Sequence, residues 1–242
     1  MKNDFCLIIP ARLSSKRLPR KVLLKINNKT ILEHVYEKCT KAVNKENVYV
    51  ATPDKKIKKL CIKKKINCIL TSSSCKTGTD RVAELAKKIK KKYYINVQAD
   101  EIFLDPININ KILIEIRKNK YDVINLYKKI LNSSEFYSKT VPKLIFNNSK
   151  ELLYMSRAPI PSSKSDIFCK SFKQICIYAF TRKALKIFSN KKDKTFFESI
   201  EDIEILRFLE LGVKIRMLEG TGSQLAIDTL FDFKAAKKIL KE

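Results

Sequence analysis

The chain has 242 residues, of which 45% are hydrophobic and 31% charged, so it can bury a sizeable core, and intrinsic disorder is excluded as its overall state. No apolar run reaches the ~20 residues of a membrane-spanning helix, and the N-terminal apolar stretch is too short for a secretory signal. We therefore expect a cytoplasmic location. Lysine and arginine number 51 against 25 acidic residues, and the resulting net charge of +26 would by itself suit a nucleic-acid or membrane-surface binder.

The positive charge is mostly lysine, and its distribution indicates a solvated surface. Runs such as 87–92 lie on or after amphipathic helical stretches and contain no stacking aromatic residues or arginine-rich segments. We therefore expect no nucleic-acid partner and no membrane partner. A non-enzymatic nucleic-acid-binding protein stays as a competing hypothesis, and it predicts salt-sensitive binding without nucleotide turnover.

The cysteine and histidine pattern argues against a zinc site. The seven cysteines form no Cys-x-x-Cys pair, and the single histidine, His34, lies in a helical pattern. Scattered thiols, odd in number, are typical of a reducing compartment. We interpret His34 as a packing or capping residue rather than as a catalytic base.

Strand and helix patterns alternate in the N-terminal part of the chain. Short apolar runs predict strands at 5–9, 48–51, 68–70 and 94–97. Helical periodicity predicts a helix that begins after the N-cap Thr30, and further helices at 56–64 and 79–91. This alternation is typical of an α/β protein with a mostly parallel sheet that helices cover on both faces.

The patterns change after Pro106. Helices are predicted at 107–117, 182–189, 200–211 and 229–241. Strands are predicted at 123–124, 141–154, 173–180 and 213–217. The strands on either side of the loop 158–163 suggest antiparallel pairing. We therefore predict a single domain over residues 1–242 with a subdomain inserted at about 125–180.

Three candidate functional segments lie at predicted strand ends or before a helix, where ligands bind in open parallel sheets. The loop after the first strand carries Arg12, Arg17 and Lys21 with two serines, which suits an oligophosphate, although it contains neither a Walker A nor a Gly-x-Gly-x-x-Gly motif. Asp100 follows the fourth strand and Asp228 precedes the last helix. Two such carboxylates predict a magnesium site, and helix capping is the alternative role of Asp228.

Six segments in one order carry a family resemblance: IIPARLSSKRLPRKVLLKINNKTILEHV (8–35), TGTDRVAE (77–84), NVQADE (96–101), YMSRAPIP (154–161), FESIEDIEILR (197–207) and DT (228–229). Together they resemble the 3-deoxy-manno-octulosonate cytidylyltransferase (CMP-KDO synthetase) family over essentially the whole chain. The resemblance implies a Rossmann-like, mostly parallel α/β sheet of the nucleotide-diphosphosugar transferase type, with a smaller mixed-strand subdomain that forms a homodimer.

The resemblance also implies an enzyme that transfers CMP from CTP to the anomeric hydroxyl of 3-deoxy-manno-octulosonate (KDO) and releases pyrophosphate, with magnesium as cofactor, for lipopolysaccharide biosynthesis. It assigns nucleotide binding to Pro10, Ala11, Arg12, Ser15, Arg17, Lys21, Thr77 and Gly78. It assigns catalysis to Arg12, Arg17, Lys21, Asp100 and Asp228, of which Asp100 and Asp228 bind the metal. It assigns the sugar acid to Arg81, Gln98, Arg157, Gln174, Tyr178, Glu201 and Glu204. For Arg157, Glu201 and Glu204 a surface ion pair is the alternative.

Four positions depart from the family pattern. Arg20 and Ala99 replace glycines, Ile102 replaces a proline, and Gln174 replaces a histidine that contacts the sugar. Gln174 precedes Tyr178 by four residues in a strand pattern, so we expect both side chains to face the sugar. These departures leave cytidylyl transfer intact, but they admit a related sugar acid, such as 8-amino-KDO or a nonulosonic acid, or an alditol phosphate as the substrate.

Overall fold

The computed structural model describes residues 4–15, 17–165, 167–168, 170–222 and 226–240. The strands are β1 (Phe5–Pro10), β2 (Lys25–Ile26), β3 (Lys29–Thr30), β4 (Val48–Thr52), β5 (Cys68–Leu70), β6 (Tyr93–Val97), β7 (Val123–Lys129), β8 (Lys143–Phe146), β9 (Leu152–Ser156), β10 (Phe172–Thr181) and β11 (Ile215–Glu219). The helices are α1 (Ile31–Ala42), α2 (Lys55–Lys63), α3 (Gly78–Lys88), α4 (Pro106–Ile116), α5 (Ser133–Tyr137), α6 (Arg182–Asn190), α7 (Phe196–Glu201), α8 (Leu206–Glu210) and α9 (Leu230–Ile239).

A nine-stranded sheet organises the described chain. Its main path runs in the order β11-β7-β10-β6-β1-β4-β5, and β8 and β9 extend it beside β10. β1 pairs in parallel with β4 and β6, whereas β10 is antiparallel to both β6 and β7. The predicted mostly parallel α/β sheet is confirmed, with one antiparallel strand inserted at its centre.

The central strands are apolar on both sides because helices cover both faces of the sheet. On β1, Leu7 and Ile9 enter one core cluster, whereas Cys6 and Ile8 enter the other, and all four side chains are fully buried. A continuous apolar run of this kind is typical of a strand in a covered parallel sheet. Polar chemistry is consequently confined to the loops that leave the strand ends.

Capping boxes begin the three helices whose N-termini adjoin the candidate segments. The pairs are Thr30–Glu33 in α1, Thr77–Asp80 in α3 and Thr229–Asp232 in α9. In each pair the threonine hydroxyl accepts from a backbone amide of the first turn, and the acidic side chain accepts from the threonine amide. The N-cap of α9 is thus Thr229 and not Asp228.

The helix predicted over 200–211 is wrong, because a left-handed residue interrupts it. α7 ends at Glu201, Asp202 has a φ of 50°, and α8 begins only at Leu206. Aspartate tolerates positive φ better than most residues, so the apolar periodicity alone gave no sign of the break. The interruption turns the chain so that Glu204 reaches the N-terminus of α3.

The strand pattern at 141–154 forms the hairpin of β8 and β9, which joins the main sheet through β10. All of these pairings are antiparallel, as expected from the sequence. A dimerising subdomain at about 125–180 stays a prediction.

The cysteines in the described ranges are free thiols, and Cys169 lies outside those ranges. His34 packs within α1, and its Nε2 lies 2.9 Å from the carbonyl oxygen of Ile26. Among the helices of the described residues, none has the length and apolar character needed to cross a bilayer.

Candidate active site

A cleft of about 930 Å³ opens where β1 and β6 end. Most of the residues singled out in the sequence line it: Pro10, Ala11, Arg12, Ser15, Arg17, Lys21, Thr77, Gly78, Arg81, Gln98, Asp100, Arg157, Glu204 and Asp228. Gln174, Tyr178 and Glu201 are not among the lining residues in the described part of the chain. The individual role of each residue stays a prediction.

The loop after β1 is closed by its own backbone and by Asp54. The amide of Leu13 donates to Asp54 Oδ2 at 2.8 Å, and the amide of Arg20 donates to the Leu13 carbonyl at 3.0 Å. Arg20 has a φ of 55°, a conformation that glycine adopts without steric cost. The arginine therefore carries about 1 kcal/mol of backbone strain at a position where the family pattern has glycine. The closed turn presents Arg12 and Arg17 to the cleft.

Lys21 lies between the two carboxylates predicted to bind metal. Its Nζ contacts Asp100 Oδ2 and is 2.9 Å from Asp228 Oδ1, and Arg17 Nη2 is 3.0 Å from Asp228 Oδ2. Burial disfavours the ammonium, but the two carboxylates outweigh this effect and raise the pKa of Lys21 above its ordinary value. Asp100 and Asp228 therefore converge on one point at which a cation is stabilised.

The oxygen donors at this point suit magnesium. Mg²⁺ commonly binds one or two carboxylates together with substrate phosphates and water, and Asp100 and Asp228 supply such a pair from two separate loops. Within the described ranges there is no group of three or more histidine, cysteine or acidic side chains placed to hold a metal. The donor set therefore fits a cation shared with a bound nucleotide, rather than an all-protein cage.

Glu101 is a buried carboxyl group next to this pair, with 7% of its surface exposed. Burial, together with the negative charges of Asp100 and Asp228, raises the pKa of Glu101 from 4.5 to about 8. At neutral pH the folded protein therefore keeps a proton on Glu101 that the unfolded chain releases.

We expect Glu101 to make the protein less stable as the pH rises from 4.5 to about 8. In this window the folded state binds more protons than the unfolded state, so the free energy of unfolding falls by up to about 1.4 kcal/mol per pH unit. Glu101→Gln, which cannot titrate, should be more stable than the parent protein by about 4 kcal/mol near pH 7.5. Urea unfolding of both proteins near pH 5 and pH 7.5 measures this difference, and equal pH slopes would contradict the raised pKa.

Glu204 closes the N-terminus of α3. Its carboxylate accepts from the amides of Gly78 at 2.9 Å and Thr79 at 2.8 Å, and from the Thr79 hydroxyl at 2.7 Å. These bonds satisfy free helix donors and place a negative charge at the positive end of the helix dipole. Glu204 thus supports α3 while it lines the cleft, and its contact with the sugar stays a prediction.

Gly78 and Arg81 shape the wall that α3 contributes. A Cβ at Gly78 would lie 2.9 Å from Gln98 Nε2 and 3.4 Å from the Pro10 side chain, so glycine lets α3 approach the strand ends. Arg81 is 3% exposed, and it donates to Thr71 Oγ1 at 2.6 Å and to the carbonyl oxygen of Ser72 at 3.1 Å. The guanidinium is therefore fixed before any ligand binds.

Backbone carbonyls hold Arg157 in place. Its guanidinium donates to the carbonyl oxygens of Glu201 at 2.5 Å, Lys139 at 3.0 Å and Asp202 at 3.1 Å. The Glu201 carboxylate accepts from the Ser156 hydroxyl at 2.6 Å and from the Arg157 amide at 2.7 Å. Within the described chain, the side chains of Arg157 and Glu201 form no ion pair. A surface ion pair, the alternative role, therefore does not account for the placement of these two side chains.

Gln174 and Tyr178 are buried in β10 and lie outside the cleft lining. Gln174 Nε2 donates to Asn125 Oδ1 at 3.1 Å, and Asn125 Nδ2 donates to the carbonyls of Ile175 at 2.8 Å and Ile177 at 2.9 Å. Asn125 thus spans the register shift that β10 makes between Ile175 and Tyr178. The amide of Gln174 is directed towards Asn125, so a contact with the sugar stays a prediction.

Several lining residues were not predicted from the sequence. Lys139 and Thr140 precede β8, Lys194 and Asp202 flank α7, and Lys76 precedes α3. Asp202 lies within the 197–207 segment but had no predicted role, the other four belong to none of the six segments, and single lysines do not stand out in a lysine-rich chain. Their common position becomes visible only when the sheet brings distant loops together.

A mostly parallel α/β sheet with a cationic loop after its first strand and two converging carboxylates is an arrangement suited to a nucleotidyltransferase. A comparison with known families agrees, because the family described as Cytidylyltransferase matches residues 6–215. The chain belongs to the cytidylyltransferase family.

Known relatives resemble the chain over nearly its full length. It is 34% identical over 239 residues to a 3-deoxy-manno-octulosonate cytidylyltransferase 2 of Hydrogenovibrio crunogenus, which covers 96% of each chain. It is 32% identical over 239 residues to an 8-amino-3,8-dideoxy-manno-octulosonate cytidylyltransferase of Shewanella oneidensis, which covers 97% of each chain. A solved CMP:2-keto-3-deoxy-manno-octonic acid synthetase complexed with CTP superposes with a TM-score of 0.90, at 29% identity over 98% of each chain.

Proposed function

We propose that the protein transfers CMP from CTP to the anomeric hydroxyl of KDO and releases pyrophosphate. The observation that carries this proposal is the convergence of the loop cations with Asp100 and Asp228 in one cleft. Relatives named for KDO and for 8-amino-KDO cytidylyl transfer support the same class of reaction.

The reaction needs two anions held for in-line attack of the sugar hydroxyl on the α-phosphate. Arg12, Arg17 and Lys21 supply the positive charge that binds the triphosphate. Arg17 and Lys21 reach the carboxylate pair, so they also stabilise negative charge as it develops on the leaving pyrophosphate. The rigid α3 wall, with Gly78 and Arg81, forms the cytidine and sugar side of the cleft.

Magnesium is the cofactor that we propose for this site. Asp100 and Asp228 would hold it, because their oxygens already converge on a cation, the Lys21 ammonium. When bound, the metal would neutralise phosphate charge and lower the pKa of the attacking hydroxyl.

A related sugar acid such as 8-amino-KDO is the second candidate substrate, and the observation that favours it is the amide at Gln174. A histidine there titrates near neutral pH, whereas a glutamine offers one acceptor and one donor without titrating. Gln174 Nε2 donates to Asn125, so the contact that we propose uses the amide oxygen as acceptor for a hydroxyl or an ammonium group, and it requires the sugar to reach β10 beyond the described cleft lining.

Pyrophosphate release tests both candidates directly. The purified protein is incubated with CTP, magnesium and one sugar acid at a time: KDO, 8-amino-KDO or a nonulosonic acid. We expect release only when all three components are present, and the highest kcat/KM identifies the substrate. Tight, salt-sensitive nucleic-acid binding without pyrophosphate release would instead support the competing hypothesis.

We further propose that the protein is a cytoplasmic homodimer and that α7 contributes to the contact between the subunits. Phe196 is 70% exposed, Ile200 66% and Phe197 44%, and they lie on one face of α7. Clustered exposed apolar side chains of this kind mark protein–protein contacts in soluble proteins. Glu201, at the end of the same helix, connects this face to Arg157 in the cleft.

We expect Ile200→Asp to shift the protein from dimer to monomer, because the carboxylate would be buried without a partner in the contact. Sedimentation velocity measures the shift, and Ile62→Asp is the matched control, since Ile62 is 65% exposed on α2. A monomeric parent protein, or an Ile200→Asp variant that stays dimeric, would contradict the role of α7.

A further inference from the structure

We propose that Lys139 binds the carboxylate of the sugar acid, and that Arg157 and Lys143 position the segment that carries it. This inference rests on the proposed function, and it assigns a role to a residue that no sequence pattern singles out. Lys139 precedes β8, is exposed, and lines the cleft together with Thr140 and Arg157.

The charges of the cleft single out Lys139. Most cationic side chains of the lining already have acceptors: Arg17 and Lys21 pair with the metal-site carboxylates, and Lys194 pairs with Asp202. Lys76 pairs with an aspartate, and Arg81 and Arg157 donate to protein oxygens. Among the described lining residues, the side chains of Arg12 and Lys139 have no such partner.

Two substrate anions must be bound, and these two cations lie on different walls. Arg12 belongs to the loop after β1, next to the groups that suit the triphosphate. Lys139 belongs to the wall that contains Arg157 and Asp202. The bond to Lys194 is the main cause that lowers the pKa of Asp202, and the charges of Arg157 and Arg17 lower it further. Arg17 belongs to the first wall and Arg157 to the second, so the two walls lie within electrostatic reach of each other.

Arg157 is committed to positioning this wall. Three of the five N–H groups of a guanidinium are taken up by the carbonyls of Glu201, Asp202 and Lys139 itself. The bond to the Lys139 carbonyl fixes the backbone from which the lysine side chain extends. Arg157 thus orients the Lys139 backbone relative to α7.

Lys143 also fixes the backbone around Lys139. It is fully buried, and its Nζ donates to the carbonyl of Ser138 at 2.8 Å and to the carbonyl of Arg157 at 2.5 Å. Burial and the neighbouring Arg157 charge lower the pKa of Lys143 to about 8. The buried Lys143 and the half-buried Arg157 therefore hold the carbonyls around Lys139, whose exposed side chain has no protein acceptor among the described residues at the cleft.

The test compares an acid substrate with its uncharged ester. KDO and its methyl ester are each supplied with CTP and magnesium, and kcat and KM are measured for the parent protein and Lys139→Met. A charge-assisted hydrogen bond lost from the carboxylate should raise the KM for KDO by about 10- to 100-fold. The KM for CTP should stay within about two-fold, and the preference for acid over ester should largely disappear.

Lys129→Met is the matched control, because Lys129 is exposed at the end of β7 and is not a lining residue of the described cleft. It removes the same charge, so a general loss of electrostatic attraction would affect both variants alike. We expect its KM for KDO and its acid-to-ester preference to equal those of the parent protein.

Arg157→Gln tests the positioning role. It should weaken the acid preference on its own but add little in the Lys139→Met background, because both changes act on one interaction. An unchanged acid-to-ester preference in Lys139→Met, or fully additive losses in the double variant, would overturn the inference and assign the carboxylate to Arg157. Absence of pyrophosphate release from the parent protein with every sugar acid would instead refute the proposed function.

Discussion

Asp100→Asn is expected to lower kcat by about 10²- to 10³-fold while the fold is kept, because the change removes one of two charges that stabilise the cation site. Asn keeps the size of the side chain and one oxygen, but it no longer balances the ammonium of Lys21 that it contacts. Steady-state pyrophosphate release over a range of magnesium concentrations measures the effect. The loss should be largest at limiting magnesium, since a neutral amide is a weaker ligand than a carboxylate.

Asp105→Asn is the control for this experiment. Asp105 caps α4, and it accepts from the amide of Ile107 at 3.0 Å, which an asparagine oxygen can also do. We expect near-parental turnover for this control and a loss for Asp228→Asn similar to that for Asp100→Asn. Near-parental turnover of Asp100→Asn at limiting magnesium would contradict a metal role of the carboxylate pair.

Arg207→Met should lower the free energy of unfolding by about 3–5 kcal/mol, the largest stability loss that we expect from a single exchange. Arg207 and Glu198 are both fully buried, and the guanidinium donates to the two carboxylate oxygens at 2.6 Å and 2.7 Å. Arg207 also reaches Asp80 at 3.2 Å and stacks on the ring of Phe188 at 3.7 Å. The exchange leaves the Glu198 carboxylate buried without a counter-charge.

Urea unfolding measures this loss, with two comparisons. The double variant Arg207→Met, Glu198→Leu should recover much of the stability, because no fully buried charge is then left unpaired. Lys29→Met, which breaks the exposed pair with Glu37, should cost less than about 1 kcal/mol. A double variant that is as unstable as Arg207→Met would show that packing, and not the buried charge, dominates.

The sheet and the cleft followed from local patterns wherever the determining interactions are close in the chain. The apolar run of β1 predicted a covered strand, and the threonine before α1 predicted its start, because capping and burial act within a few residues. The loop cations and Asp100 were placed in a candidate site because loops at the ends of parallel strands share one edge.

Features that depend on distant pairing were not predictable in the same way. The position of β10 between β6 and β7 depends on contacts across long stretches of chain, for which the strand pattern holds no information. The break at Asp202 depends on a single backbone conformation. The interpretation of Lys139 and Lys143 depends on backbone carbonyls that distant segments bring together, and a sequence pattern does not show which carbonyls meet.

The place of β10 in the sheet also bears on how the protein acquires activity during folding. β6 and β10 are neighbours in space, but their paired residues, such as Val97 and Ile177, are far apart in the chain. Closing so long a loop costs conformational entropy before the strand pairing contributes any stabilisation. We therefore expect this contact to form late and slowly. A nascent chain that has formed only its first βαβ units would contain the loop after β1, but it would lack the wall of the cleft that contains Arg157 and Asp202. Catalytic competence is therefore tied to the pairing of strands that are distant in the chain, rather than to the appearance of secondary structure.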